Sequence, residues 1–150
     1  GSQVQCYMDV DLSTDLEALP EIVEAVAQGS CDIAIASRGV KGAVVRGRSL
    51  VRSLTSWGYR VLLRILFLRS GIRDFQCGCK ALSREMVARV LPEVKNGGWF
   101  FDTEMLLLAS GSGYKVLEVP AQWQDDRDSR VKVASTILEM LRGVYRLKAE

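Results

Sequence analysis

The opening of the chain constrains the fold more than any other stretch, because an apolar strand, an amphipathic helix and a second apolar strand follow one another there. Val4 to Met8 is short and apolar and ends in Asp9-Val10-Asp11. Ser13-Thr14-Asp15 supplies N-cap candidates, Leu16, Leu19, Ile22, Val23 and Val26 recur at helical spacing, and Gly29 stops that helix. Asp32 to Ser37 (D-I-A-I-A-S) is small and apolar enough to be buried on both faces. This length of strand, helix and strand predicts a right-handed parallel βαβ unit, and so an α/β fold.

The remainder continues the alternation. Arg38 to Gly47, with three glycines and three cations, reads as a loop. A long helix is expected from Arg48 to Arg69, with Arg48, Arg52, Ser56, Arg60 and Arg64 as a polar stripe on an otherwise Leu-rich surface. A helix is expected from about Ser83 to Leu91, capped by Ser83, and another over most of Trp99 to Ser110. Tyr114 to Trp123 alternates like a strand, with Pro120 suggesting an edge or a strand end. Gln124 to Arg130 reads as a charged loop, and Val131 to about Leu147 as a closing helix.

With 150 residues and 20 Lys+Arg against 18 Asp+Glu, the composition is that of one globular domain, 1–150. The absence of His removes Ser-His and Cys-His nucleophile systems. Cys6, Cys31, Cys77 and Cys79 lack zinc-site spacing and read as buried free thiols. No run reaches the ~18 apolar residues of a membrane span. Gly1-Ser2 reads as a cloning remnant.

Four features carry candidate chemistry. Asp9 and Asp11, at i and i+2 of an extended strand end, would point the same way and repel unless a hard divalent cation, Mg2+ or Mn2+, lay between them. The plainer account makes Asp11 a prelude to the helix cap. Ile33 to Arg73 holds nine Lys or Arg and no acid. That segment suits a membrane surface or a lipid phosphate, or else a core helix with a solvated cationic edge. Nucleic acid is disfavoured, because Trp57, Tyr59 and Phe67 sit within an apolar helix. Trp99, Asp102 and Glu104 form an acidic and aromatic set, which the helix macrodipole could also explain. Arg130 suits bidentate contact with phosphate, or is simply a surface arginine.

Taken in order, Y-M-D-V-D-L-S-T at 7–14, D-I-A-I-A-S-R at 32–38, R-D-F-Q-C-G-C-K at 73–80, W-F-F-D-T-E-M-L-L-L-A at 99–109, V-P-A-Q-W at 119–123 and S-R-V-K at 129–132 resemble the family 2 glycosyltransferases of the polyprenyl (dolichyl) phosphate class. The dolichyl-phosphate β-glucosyltransferase-like branch is the nearest in look. The resemblance implies a partial GT-A (Rossmann-like) α/β fold, a mixed, mostly parallel sheet flanked by helices. It implies Asp9 and Asp11 as the D-x-D metal ligands, holding Mg2+ or Mn2+ and the donor diphosphate, with Ser13 a metal-side polar group two residues beyond. Arg38, Trp99 and Arg130 become substrate-binding residues, Arg38 for acceptor phosphate and Arg130 for donor phosphates. Asp74 and Gln76, from the D-x-Q-x-G segment, and Asp102 and Glu104, the acidic pair near the acceptor, become the catalytic set. Cys79 stands where Phe is common in the family.

The implied reaction is inverting, metal-dependent transfer of a sugar from a nucleotide sugar to a polyprenyl phosphate. The basic helix 48–69 would seat the protein peripherally on the cytoplasmic face of a membrane. Family members carry a nucleotide-binding half before the D-x-D strand, and this sequence begins almost at that strand. It is therefore expected to be inactive alone, with Val4–Met8 or Asp32–Ser37 as an open sheet edge and a dimer or higher oligomer as the result. The competing expectation is a non-catalytic oligomeric binding module derived from a glycosyltransferase.

Overall fold

The computed structural model describes residues 2–47, 50–67, 70–124 and 133–149. In chain order the elements are β1 (Val4–Met8), α1 (Ala18–Ala27), β2 (Ile33–Ser37), β3 (Val44–Arg46), α2 (Leu50–Leu66), β4 (Cys79–Ser83), α3 (Arg84–Val90), α4 (Phe101–Gly111), β5 (Val116–Pro120), β6 (Gln122–Gln124) and α5 (Val133–Ala149). The main sheet has the order β1-β4-β2-β5. β4 is antiparallel to both β1 and β2, while β2 is parallel to β5. Three of the four strands thus run one way and only β4 opposes them, which makes the mixed, mostly parallel α/β sheet that the sequence implies. β1 and β2 share a direction but do not touch, because β4 lies between them. The expected βαβ unit is a split one.

Strand alternation divides the core in two. Ile33 and Ile35 of β2 face Met86, Leu106 and Met140 from α3, α4 and α5. Ala34 and Ala36 face the other way, with Cys79 and Ala81, onto Ile22 and Val26 of α1. The small strand residues let α1 sit close to the sheet. Full burial of a side chain such as Ile22 contributes about 2 kcal/mol.

Several boundaries differ from the sequence reading. α1 begins at Ala18 without a side-chain cap, because Thr14 is taken up in a β-bridge to Trp123. The loop 38–47 contains β3, laid parallel to β6. β4 is a strand the pattern did not disclose, since Lys80 interrupts its apolar run. Ser83 does cap α3, accepting from the Met86 N–H at 3.3 Å, and Pro120 does end an outer strand. Asp32–Ser37 is interior, so of the two candidate edges β1 is the outer one. Cys31, Cys77 and Cys79 are buried free thiols, but Cys6 is exposed; it sits on that outer strand, where nothing from the sheet covers it.

Candidate functional site

β1, β2 and β5 point their carboxyl ends to one end of the sheet, and β4 enters from that same end. The loops there bring together residues distant in sequence. β1 stops at Met8, and Asp9 to Leu12 is a turn, closed by Leu12 N–H to Asp9 C=O at 3.3 Å. Leu12 takes a left-handed backbone, φ 53°, which is strained for a branched residue. Asp9 and Asp11 are therefore neighbours through a turn, not through strand alternation as the sequence suggested. Asp11 bends back so that its Oδ1 accepts the Ser13 N–H at 3.0 Å.

Asp9 is the more loaded of the two. Its N–H donates to Gly78 C=O at 2.8 Å, and its carboxylate lies over Gly78 so closely that a Cβ there would come within 1.8 Å of Oδ2. The glycine of the D-x-Q-x-G segment is thus needed for this approach. Partial burial pushes the Asp9 carboxyl pKa up, as do Asp11 and Asp102, while Lys80 and Arg38 pull it down. Burial is the largest of these causes, and among the described residues the neighbouring acids add to it, so positive charge placed here would ease the carboxylate.

Asp74 is, by contrast, fully engaged. Arg38 meets it through Nε at 2.8 Å and Nη2 at 2.9 Å, and the Arg38 N–H adds a third bond at 2.9 Å. The Gln76 N–H donates to Asp74 at 3.2 Å. Burial alone would raise this carboxyl; the guanidinium and the hydrogen bonds outweigh it and hold the pKa at about 2. Arg38 also lies 5.2 Å over the Trp123 ring. Glu118 on β5 completes the cluster, accepting from Ser37 Oγ at 2.8 Å and from the Arg73 and Asp74 N–H groups at 2.9 and 3.0 Å. In this arrangement Asp74 positions Arg38, and two of the guanidinium nitrogens are committed to it.

Asp102 and Glu104 do not converge. Two residues apart on α4, they face different directions. Asp102 looks to the sheet, accepting from Tyr7 Oη and from the wholly buried Lys80 Nζ at 2.7 Å. Lys80 also donates to the Cys77 carbonyl and lies 5.3 Å from the Tyr7 ring. Glu104 is 1% exposed and accepts from the Lys95 and Asn96 N–H groups at 3.2 and 3.0 Å and from Arg146 at 2.5 Å. It holds α5 and the 95–96 loop onto α4. Gln76 reaches the Trp99 carbonyl at 3.4 Å and Met140 Sδ at 3.5 Å, so those two predicted residues do meet, and Trp99 is half exposed. Arg130, with the rest of 125–132, lies outside the described residues, as does Arg48.

Lys80, Tyr7 and Glu118 were not singled out from the sequence. The available signal was an ionisable residue inside an apolar strand, C-K-A-L and V-L-E-V, where burial demands a partner. Beside the Asp9 turn an open cleft of about 290 Å³ is lined by Leu12, Ser13, Thr14, Arg46 and Trp123, among others. No described set of three or more Cys, Asp or Glu side chains is arranged to hold a metal by itself. Two carboxylates suffice for Mg2+ or Mn2+ when substrate phosphates and water supply the other oxygens, so Asp9 and Asp11 fit such an ion.

No family model matches the chain. Glycosyltransferase AglD of Haloferax volcanii is 42% identical over 134 residues, covering 89% of this chain and 21% of that protein. Dolichol-phosphate mannosyltransferase of Pyrococcus furiosus is 38% identical over 150 residues, 98% of this chain and 41% of that protein. Dolichyl-phosphate beta-glucosyltransferase of Saccharomyces cerevisiae is 30% identical over 140 residues, 87% and 42% respectively. The chain spans less than half the length of each of these curated relatives.

Proposed function

Because the chain belongs to the family 2 glycosyltransferases of the polyprenyl-phosphate class, we propose that it forms the phosphate-handling part of an enzyme that moves a sugar from a nucleotide sugar to a polyprenyl phosphate. The observation that carries this reading is the uncompensated Asp9–Asp11 turn, set beside the buried Arg38–Asp74 pair at the carboxyl end of the sheet.

Asp9 and Asp11 would hold Mg2+ or Mn2+, which supplies positive charge to a departing diphosphate. Lys80 and Tyr7 fix Asp102 beside them. Asp74 fixes Arg38 and keeps it charged, so that its remaining donor edge faces an anion in a set geometry. An acceptor phosphate is already ionised near neutral pH, and its oxygen attacks the sugar C1 as the bond to the diphosphate breaks, with inversion. No general base is then required, which suits a sequence without His.

We place the reaction at a membrane surface. Leu54, Trp57 and Ile65 are exposed on α2 at helical spacing, and Arg60 and Arg64 border them. Exposed Leu138, Leu141 and Tyr145 make a similar stripe on α5, and Lys148 of α5 lies over Phe67 at the end of α2, 5.0 Å from its ring. No helix among the described residues is long and apolar enough to cross a membrane. Little or no turnover is expected from these 150 residues alone, since the relatives are more than twice as long.

Calorimetry with a nucleoside diphosphate and Mn2+ tests the reading. Binding is expected to require Mn2+ and to weaken at least about tenfold in Asp11→Ala, a loss of about 1.4 kcal/mol. Metal-independent binding, or binding indifferent to Asp11, would refute it. Turnover with Mn2+ and a polyprenyl phosphate would rule out the binding-module reading.

A further inference from the structure

Arg38 and Asp74 come from segments 36 residues apart, and a third side chain, Glu118 of β5, reaches both segments. Across the β2–β5 ladder Glu118 pairs with Ile35 and Pro120 with Ser37, so Glu118 and Ser37 are diagonal neighbours on one face of the sheet. That is the face on which Ile33 and Ile35 meet α3, α4 and α5. Glu118 Oε1 accepts the Ser37 hydroxyl at 2.8 Å and the Asp74 N–H at 3.0 Å, and Oε2 accepts the Arg73 N–H at 2.9 Å. Ser37 Oγ in turn accepts the Gly39 N–H at 3.0 Å. One carboxylate is thereby tied to the backbone on both sides of Arg38 and to the backbone that carries Asp74. The two segments touch, since a Cβ on Gly39 would stand 3.0 Å from Arg73 Cβ and 3.1 Å from the Arg73 carbonyl oxygen.

Asp74 takes the Arg38 N–H as well as its Nε and Nη2, so the guanidinium inherits whatever position the 73–74 backbone holds. Carrying the Glu118 carboxylate into a half-buried place costs desolvation that its hydrogen bonds serve to offset, and an apolar residue of like size is often as stable. An apolar residue cannot, however, hold three donors from two segments in a fixed relation. We propose that Glu118 is a positioning residue: acting through Ser37 and the 73–74 backbone, it sets where the remaining donor edge of Arg38 points, and so how tightly a phosphate monoester binds there. This rests on the reading of Arg38 as a phosphate ligand given above. A carboxylate repels phosphate, so the contribution of Glu118 runs through Arg38 alone.

Two readouts on the full chain test the proposal: the nitrogen–proton magnetic resonance signal of Arg38 Nε, and calorimetric binding of geranyl phosphate. Arg38→Lys, which keeps a cation for Asp74 but loses the second donor edge, identifies the signal by its disappearance and should abolish binding. In the wild type this N–H, bonded to buried Asp74, should exchange slowly with water. Glu118→Ala should exchange it about tenfold faster and weaken geranyl phosphate about tenfold. Ser37→Ala should move both in the same direction by less. Glu118→Gln, which keeps one acceptor oxygen for Ser37 and Asp74, should recover most of both. Ser83→Ala, at the opposite end of the sheet, lowers stability and should move neither, and a merely structural Glu118 would behave like it. If Glu118→Ala does not fold, Ser37→Ala carries both readouts. Exchange or affinity unchanged in folded Glu118→Ala, or in Ser37→Ala, would overturn the proposal, and binding lost in Arg38→Lys but kept in Glu118→Ala would overturn it alone. Binding absent from the wild type, or indifferent to Arg38→Lys, would instead overturn the phosphate reading of Arg38 and this inference with it.

Discussion

Two acidic regions lie at the same end of the sheet and are treated in opposite ways. Around Asp74 each negative charge is answered: Arg38 grips it with two nitrogens, and the neighbouring Glu118 takes a hydroxyl and two backbone amides. Around Asp9 the answer is incomplete, because burial, Asp11 and Asp102 together outweigh Lys80 and Arg38. The first region holds loops together. In the second, burial and the neighbouring acids outweigh the cations among the described residues, so added positive charge would ease the Asp9 carboxylate. A carboxylate's role is set by how many donors the fold has already given it.

If this contrast holds, substitutions in the two regions should separate stability from binding. The largest effect belongs to Asp74→Ala, which strands a buried guanidinium and should cost about 3–5 kcal/mol in urea unfolding. A variant that unfolds like the wild type would erase the distinction. Acid should expose the same pair. The folded Asp74 pKa is depressed from 3.8 to about 2, so its stabilisation is complete above the unfolded value and is lost as pH falls through the folded one. About 2 kcal/mol should disappear between roughly pH 4 and 2, and the Asp74→Asn variant should lose that part of the slope. Removing the Ser83 cap by Ser83→Ala lies in neither region and should cost about 1 kcal/mol, a baseline for ordinary local damage. Smallest in stability is Gly78→Ala. It should shift unfolding by about 1 kcal/mol or less, because the Asp9 side chain can swing away, yet weaken Mn2+ binding because it displaces that carboxylate. Isothermal titration and urea melts on the same preparations check both halves.

Periodicity was enough to find α1, β2, α3, α4 and α5 within a few residues, because each has a run of apolar positions whose spacing survives in the fold. β4 was hidden because Lys80 looks like a loop residue until its partners, Asp102 and the Cys77 carbonyl, are known. Those partners come from α4 and from a turn, and no local pattern encodes them. The site was legible to the same extent. Asp9 and Asp11 stood out at a strand end, but the turn that actually sets their geometry depends on Gly78, 69 residues from Asp9 in the chain. The orientation of Glu104 was hidden for a related reason. Its spacing from Asp102 looks like a pair in sequence, whereas a helix turns the two about 200° apart and hands Glu104 to Arg146.

Asp9 and Asp11 are proposed as a cation site that the described residues leave short of positive charge. Electron paramagnetic resonance of free Mn2+, titrated with the wild type, Asp9→Asn and Asp11→Asn in the presence of a nucleoside diphosphate, addresses it directly. The account predicts that the wild type depletes the free-ion signal, that both variants lose this while melting no lower than the wild type, and that wild-type binding weakens as pH falls and the elevated Asp9 carboxyl takes up its proton. Equal depletion of the signal by all three proteins would contradict it.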